Sequence, residues 1–262
     1  MKNVVITGST RGLGFAMARE FLQAGCNVTL SGRGEALPES AHTELTSFEG
    51  KYIYIQSNVR QKESLQHLWD ASLERWGSID IWINNAGQNT PHVFSWETGE
   101  TYTEKVINTN ILGMIYGSQV AADGMLKQGH GAIYSMEGLG SNNMIQVKTI
   151  LYGTTKCALT YFMKGLAREL DGTGVIAGRL SPGMMLTDFI TKTPDGEPSD
   201  VIVDEKFRKI FNILADKPET VAKFFIPRIL GNTRNEAHIV WLTTSKAAWR
   251  FMTAGFRKDR LI

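Results

Sequence analysis

The chain has 262 residues, of which 42% are hydrophobic and 21% charged, and these proportions exclude an intrinsically disordered protein. The net charge of +2 is too small to indicate a nucleic-acid partner, and no apolar run reaches the roughly 18 residues of a membrane span. The two cysteines, Cys26 and Cys157, favour a reducing compartment, and the opening MKNVVITGS has no signal-peptide pattern. We therefore expect a cytoplasmic protein.

Short apolar segments alternate with longer amphipathic ones along the chain. Strands are predicted at 4–7, 28–31, 52–56, 79–84, 132–135, 175–181 and 239–242. Helices are predicted at 13–24, 62–76, 102–125, 152–170 and 220–229. The alternation predicts α/β architecture in a single domain, a Rossmann-type doubly wound parallel sheet of about seven strands with helices on both faces. Residues 1–150 would bind a dinucleotide, 184–217 would cover the substrate, and 191–200 would form a mobile loop.

The segment TGSTRGLG follows the first predicted strand and opens a helix. Its glycines permit a tight turn against a pyrophosphate, and the helix N-terminus supplies free N–H groups. The plainer alternative is a glycine turn that only caps the helix. The predicted cofactor contacts in this segment are Gly8, Ser9, Thr10, Arg11, Gly12, Leu13 and Gly14.

The second strand ends in LSGRGE, with Ser31 and Arg33 near the expected adenosine ribose. An NAD site has a carboxylate about 20 residues beyond the glycine loop, whereas this chain has Arg33. Arg33 and Arg11 would hold a 2′-phosphate, so the sequence predicts NADPH/NADP⁺ as cofactor. The alternative is that either arginine is a solvated surface charge.

The segment NNAG closes the fourth predicted strand, and Asn85, Ala86 and Gly87 are its predicted cofactor contacts. The carboxyl ends of parallel strands are where open α/β sheets bind ligands, although the same residues also suit a simple turn.

Tyr152 and Lys156 lie four residues apart on a predicted helix and therefore face the same side. An ammonium beside a phenol lowers the phenol pKa from its free value of about 10, which lets the phenol pass a proton to a carbonyl oxygen. The alternative is a tyrosine packed over an aliphatic stem.

With Asn110 in INTNILG and the segment SPGMMLTD, these motifs resemble the short-chain dehydrogenase/reductase family over nearly the whole chain. The resemblance implies that Asn110 anchors a water relay behind Lys156. It also implies that Asn58 replaces the family's aspartate near the adenine. The further cofactor contacts that it implies are Asn58, Val59, Pro182, Gly183 and Thr187.

The segment GAIYSMEGLG departs from the family pattern, because Glu137 and Gly138 stand where two serines normally lie. A narrower resemblance to chlorophyll b reductases rests on SIDIWINNAG, EGLGS, SPGMMLTD, KPETVAKFFIPRI and GFRKDRLI. It implies that Ser141 is the hydrogen-bond donor to the substrate oxygen. Glu137 is the alternative, although an ionised carboxylate there would oppose catalysis. Ser141 as an ordinary loop hydroxyl also stays open.

Substrate contacts are expected from Glu137, Met184, Met185 and Phe189. Pocket candidates after NNAG are His92 and Trp96, whereas Trp82 and Cys157 are expected to pack. The apolar spacing of Phe207, Ile210, Phe211 and Leu214 suits a helix facing either the core or a ligand. The five histidines have no metal-ligand spacing, so no metal is predicted.

The resemblance implies an NADPH-dependent reductase for the formyl group of chlorophyll(ide) b, or for a similar bulky, apolar aldehyde or ketone. Two alternatives remain, a 3-oxoacyl or steroid-type ketone reductase and a non-catalytic NADP(H)-binding regulator. The closing segment AAWRFMTAGFRKDRLI would contact a membrane surface or a substrate carboxylate, or pack on the sheet or on another subunit. We expect a homo-oligomer, either a dimer or a tetramer, and no nucleic-acid partner.

Overall fold

Seven parallel strands form one sheet in the order β3-β2-β1-β4-β5-β6-β7. The computed structural model describes residues 1–193, 195–197, 199, 202–256 and 261–262, without the side chain of Phe256. The strands are β1 Asn3–Ile6, β2 Asn27–Gly32, β3 Tyr52–Gln56, β4 Ile81–Asn84, β5 Gly131–Met136, β6 Val175–Ser181 and β7 Ala237–Val240. This sheet confirms the predicted α/β fold.

The described α-helices mostly connect successive strands, as parallel pairing requires. They are α1 Gly12–Gln23, α2 Glu39–Leu45, α3 Lys62–Trp76, α4 Glu100–Ile107, α5 Gly113–Gln128, α6 Ile150–Glu169, α7 Asp188–Thr191, α8 Glu205–Leu214, α9 Pro218–Leu230 and α10 Thr244–Met252. None of the helices within the described ranges is long and apolar enough to cross a membrane.

Two hydrophobic cores lie one on each face of the sheet, and alternate residues of the central strands contribute to them in turn. Val4 and Ile6 pack on one face with residues of α1 and α9. Val5 and the buried Trp82 pack on the other face with residues of α3, α5 and α6. This period of two follows from the strand geometry, and it confirms that Trp82 is a core side chain.

The strand order reverses between β1 and β4, because β2 and β3 lie on one side of β1 and β4 lies on the other. Connections leave the carboxyl ends of these two strands in opposite directions and open a crevice there. The crevice is narrow at its base, since a Cβ on Gly8 would lie 2.8 Å from the Cα of Ala86. The sheet therefore brings the glycine loop and NNAG together.

The helix predicted at 102–125 is interrupted. It consists of α4, a π-helical turn over Asn108–Leu112, and α5. Helices α2 and α10 were not predicted. Residue 191 ends α7 rather than opening a loop, and Pro194, Pro198 and Asp200 of the predicted loop lie outside the described residues.

Candidate active site

The glycine loop between β1 and α1 has the backbone that its sequence predicts. Gly8 and Gly12 have φ angles of 63° and 59°, a left-handed conformation in which side chains are strained. In the part of the chain that is described, no side chain caps the N-terminus of α1. The first N–H groups of α1 therefore point, with the positive end of the helix dipole, towards the cleft, where they suit a pyrophosphate.

The NNAG segment is tied to the glycine loop by hydrogen bonds. The Asn85 side chain donates to the carbonyl oxygens of Thr7 and Gly8 at 3.0 and 2.9 Å. The Thr7 hydroxyl accepts from the backbone N–H groups of Asn85 and Ala86 at 3.0 and 3.1 Å. These bonds fix the floor of the cleft.

The end of the cleft beyond β2 is cationic. Arg33 is exposed there, and Arg60 joins it, donating to Thr109 Oγ1 and Gln88 Oε1 at 2.8 Å each. Burial and the neighbouring charge of Arg33 lower the pKa of Arg60. Arg11, predicted to share the 2′-phosphate, pairs with Asp188 at 3.3 Å, and its contact with a phosphate stays a prediction. Arg60 was not predicted, because nothing local marks the arginine in SNVR as part of this site.

Tyr152 and Lys156 both lie in the first two turns of α6 and line the cleft. The Lys156 Nζ lies 5.7 Å from the centroid of the Tyr152 ring and donates to the carbonyl oxygen of Met136 at 2.9 Å. Burial raises the pKa of Tyr152 above its ordinary value and lowers that of Lys156 to about 8, and the Glu137 carboxylate opposes the latter effect. The pair therefore starts as a neutral phenol beside a lysine that titrates near neutrality.

Asn110 lies in the π-helical turn, and its side chain is buried. Its Oδ1 accepts from the Gln88 N–H at 2.8 Å, and its Nδ2 donates to the Gln88 carbonyl and to Thr155 Oγ1 at 2.9 and 3.1 Å. π-turns often occur at functional sites, and this one directs Asn110 to the helix carrying Lys156. Its role in a water relay remains a prediction.

The loop after β5 packs closely against α6. A Cβ on Gly138 would overlap the Tyr152 hydroxyl, and a Cβ on Gly140 would overlap the backbone of Gly153. Ser141 accepts from the Gly138 N–H at 3.2 Å and donates to the Lys156 carbonyl at 3.3 Å. Ser141 thus lies in the cleft wall with its hydroxyl directed to the main chain. Its role as donor to the substrate remains a prediction, and that role requires the hydroxyl to turn.

The Glu137 carboxylate is buried and accepts from Arg179 at 3.0 Å, His238 at 2.7 Å and Thr160 at 3.3 Å. Burial raises its pKa, but the hydrogen bond and charge of His238 and the charge of Arg179 outweigh burial and lower it. The group is therefore ionised at neutral pH. The lowered pKa argues against the alternative in which a protonated Glu137 polarises the substrate, and a contact between Glu137 and the substrate stays a prediction.

The comparisons with known proteins identify the family of the chain. A model of the short chain dehydrogenases matches residues 2–198. The chain belongs to this family. It is 33% identical to a probable chlorophyll(ide) b reductase of Arabidopsis thaliana over 99% of this chain and 54% of that protein. It is 32% identical to a chlorophyll(ide) b reductase of Oryza sativa subsp. japonica over 99% of this chain and 78% of that protein.

Among solved structures, ElxO with NADP bound superimposes with a TM-score of 0.81 at 25% identity, covering 94% of this chain and 99% of that one. The resemblance inferred from the motifs is thus confirmed at the level of the family. The chain spans about half the length of the Arabidopsis relative. Family membership and the glycine-loop geometry make the cleft of this short-chain dehydrogenase an NAD(P)H site.

The segment after β6 begins with Pro182 and Gly183, and Gly183 has a φ angle of 73°. Met184 and Leu186 exchange backbone hydrogen bonds with Asp216, which fixes the base of the segment that was predicted to cover the substrate. Asp216 in turn pairs with Arg250 of α10 at 2.7 Å. This support was not predictable, because α10 itself was not predicted.

Phe189 of α7 packs edge-on against Tyr152, with 5.5 Å between the ring centroids. Thr187 lies opposite the glycine loop, since a Cβ on Gly12 would lie 3.7 Å from its methyl group. In the short-chain dehydrogenase cleft, the phenol of Tyr152 thus packs against the aromatic ring of Phe189. The predicted site residues that line this cleft include Gly8, Arg11, Gly12, Arg33, Asn58, Val59, Gly87, Pro182, Met184, Met185, Thr187 and Phe189.

The other candidate residues divide between the cleft and the surface. His92 lines the cleft, whereas Trp96 is 81% exposed and stacks on Phe94. Phe211 is buried, and Phe207, Ile210 and Leu214 line the cleft. Cys157 is exposed, so its predicted packing is wrong. Among the described residues, no three His, Cys, Asp or Glu side chains are grouped to hold a metal ion.

The closing segment is described only in part. Trp249 and Phe251 of α10 are 63% and 48% exposed. The N–H groups of Leu261 and Ile262 donate to Asn212 of α8 at 2.6 and 3.2 Å. Arg257, Lys258 and Arg260 lie outside the described residues. Membrane contact through this segment, and the homo-oligomer, remain predictions.

Proposed function

We propose that the protein is an NADPH-dependent carbonyl reductase that reduces the formyl group of chlorophyll(ide) b, or of a similar bulky, apolar aldehyde or ketone, to an alcohol. The observation that carries the reductase function is the pair Tyr152 and Lys156, which lines one cleft with an open glycine loop. The substrate class is supported by the similarity to two chlorophyll(ide) b reductases along 99% of the chain.

The size of the cleft supports a bulky substrate. Its volume is about 2420 Å³, and ligand pockets commonly have about 300–1,000 Å³. A dinucleotide along β1, β2 and β4 would leave the region near α7 and α8 for the second ligand. Met184, Met185, Phe189 and Phe207 line that region. Methionine and aromatic side chains adapt to flat apolar surfaces.

NADPH is proposed over NADH because of the charge at the far end of the cleft. Arg33 and Arg60 present guanidinium groups there, and these suit a 2′-phosphate. Burial and, after it, repulsion from Arg33 lower the pKa of Arg60, and a bound anion would relieve that repulsion. The NADP named for ElxO is consistent with this proposal.

When bound, the reduced cofactor supplies a hydride for the carbonyl carbon of the substrate. Tyr152 gives its phenolic proton to the carbonyl oxygen, so that C=O becomes CH–OH and a phenolate remains. The Lys156 ammonium, whose Nζ lies 5.7 Å from the centroid of the Tyr152 ring, stabilises that phenolate by its positive charge. Solvent then returns a proton to the pair.

A second donor would strengthen the polarisation of the carbonyl. Gly138 leaves no side chain next to the Tyr152 hydroxyl, and the hydroxyl of Ser141 lies in the same loop. We therefore propose that Ser141 turns from the Lys156 carbonyl to the substrate oxygen. Ser141→Ala is expected to lower kcat about tenfold or more at unchanged NADPH affinity. Full kcat in this variant would remove Ser141 from the mechanism.

The substrate is tested with the purified protein and NADPH. Chlorophyllide b, a 3-oxoacyl thioester and a hydrophobic ketone are compared by their kcat/KM values, with mass spectrometry to identify a hydroxymethyl product. We expect the highest kcat/KM for chlorophyllide b. A higher value for the thioester or the ketone would reject the chlorophyll proposal, and tight NADPH binding without any turnover would favour the non-catalytic regulator.

The proton donor is tested by Tyr152→Phe. This change is expected to remove turnover while NADPH binding stays within about twofold, because the phenol acts on the substrate oxygen. Tyr161→Phe is the matched control, since Tyr161 lies on the same helix and is 84% exposed. Comparable kcat values in the two variants would defeat the mechanism.

A further inference from the structure

A buried ionic cluster stands directly behind the reactive pair. Glu137 follows β5, Arg179 lies in β6, and His238 lies in β7, where it is the direct register partner of Arg179. The side chains of Glu137 and Arg179 are 3% and 9% exposed, whereas that of His238 is 41% exposed. Three adjacent strands thus converge on one carboxylate at the edge of the sheet that faces the cleft.

The cluster is linked to Lys156 by short connections. The Thr160 hydroxyl lies 3.3 Å from Glu137 Oε1 and 3.1 Å from the Lys156 carbonyl oxygen. The Lys156 ammonium donates to the carbonyl of Met136, the residue before Glu137. The carboxylate and the ammonium therefore occupy neighbouring positions between β5 and α6.

The charges around Lys156 come from several elements. Tyr152 faces it from α6, Glu137 from the end of β5, and Arg179 and His238 flank Glu137 from β6 and β7. Lys164, two turns further along α6, lines the same cleft. Of the groups just named, only Glu137 carries a negative charge. Its carboxylate therefore favours the protonated, ammonium form of Lys156.

A purely structural role accounts poorly for this cluster. Burying an ion pair brings little net stability compared with apolar residues of similar volume, because both charges lose their hydration. A direct substrate contact also fits poorly, since three donors already bind the two carboxylate oxygens. The remaining role for the Glu137 carboxylate is electrostatic. Because it is ionised and rigidly held, its negative charge acts on the neighbouring Lys156.

We propose that Glu137 is a positioning residue that keeps Lys156 in its ammonium form, so that a serine position of the family carries a charge-setting carboxylate in this chain. This inference rests on the proposed reductase function for its catalytic meaning. In this proposal Glu137 acts through Lys156 and not by a contact of its own with the substrate, because its two oxygens already accept from Thr160, Arg179 and His238. Arg179 and His238 hold the carboxylate ionised and fix its orientation.

The direct test measures the protonation of Lys156 without cofactor or substrate. Protein with ¹³C-labelled lysine is titrated by NMR, and the Lys156 signal is assigned from its loss in Lys156→Met. Glu137→Gln is expected to shift the Lys156 midpoint to lower pH by about one unit or more, and Arg179→Gln to shift it to higher pH. Thr160→Val, which keeps all charges, is the control and is expected to shift the midpoint far less.

Shifts in the same direction in both charge variants, or no shift in either, would overturn the inference. If Glu137→Gln does not fold, the test rests on Arg179→Gln, because the inference requires the Lys156 titration midpoint to rise in that variant. In assays with NADPH and an active carbonyl, the alkaline limb of kcat/KM should follow the NMR midpoint. If the folded protein shows the NMR shifts but no turnover, the inference about Glu137 and Lys156 stands and the proposed reductase function is rejected.

Discussion

The hydroxyl of Tyr152 occupies the space that a side chain at position 138 would need. A Cβ built on Gly138 would overlap this hydroxyl and would come within 3.3 Å of the Lys156 side chain. With any other residue at position 138, the Tyr152 hydroxyl would have to move from its present place. The departure from the family's serine pattern is thus part of the geometry that places the phenol.

Gly138→Ala is expected to lower kcat by about a hundredfold, because the added methyl group would displace the phenol of Tyr152, the proposed proton donor, from its position. Stability should change little, since the tip of one side chain is what moves. Gly165→Ala on α6 is the control, because a Cβ there meets nothing within 4 Å. That control should keep full kcat and gain about 0.5–1 kcal/mol of stability. Full activity of Gly138→Ala would contradict the close fit.

Arg33→Ala is expected to raise the Kd of NADPH about tenfold or more and to leave that of NADH nearly unchanged, since the guanidinium acts on the 2′-phosphate. Arg60→Met should change the preference in the same direction. Fluorescence titrations with both dinucleotides measure the two constants. Arg228→Ala is a suitable control, because Arg228 lies on α9 over Phe224. An unchanged preference in Arg33→Ala would reject the cofactor assignment.

Local features of the sequence were sufficient to predict much of the fold and of the candidate site. The glycine loop and the pair Tyr152 and Lys156 lie within single loops or helical turns, so their spacing alone places them. The π-turn at Asn110 was missed because a one-residue shift in helical hydrogen bonding leaves the apolar period almost intact.

Local sequence patterns could not identify contacts between side chains that are far apart along the chain. Glu137 meets Arg179 and His238 at sequence separations of 42 and 101 residues, through the order of β5, β6 and β7. The one available signal was Arg179 itself, a charge within the otherwise apolar or small strand VIAGRLS. A charge in a buried strand requires a partner, but the sequence does not say which.

Arg250→Met is expected to destabilise the protein by about 3–5 kcal/mol, because it leaves the Asp216 carboxylate with less compensation in a mostly buried site. The paired side chains are only 14% and 10% exposed. The Tm should fall by roughly 6–20 °C, measured by calorimetry. Lys127→Ala, which removes an exposed pair with Asp123, is the control and should change stability by less than about 0.5 kcal/mol. Equal Tm values for the two variants would show that the Asp216 pair does not support the fold.

The burial of Lys156 predicts a dependence of stability on pH. Its pKa is lowered from 10.5 to about 8 in the folded chain, so the unfolded chain binds more protons between these values. The free energy of unfolding should therefore rise between about pH 8 and 10.5, with roughly 3 kcal/mol in total contributed by Lys156. Below about pH 8, the contribution of Lys156 should not depend on pH. Urea unfolding at a series of pH values, compared between the wild type and Lys156→Met, isolates this contribution. Lys164→Met, at an exposed position of the same helix, should retain the rise. A rise that persists in Lys156→Met would mean that other groups cause it and that Lys156 is not held with a lowered pKa.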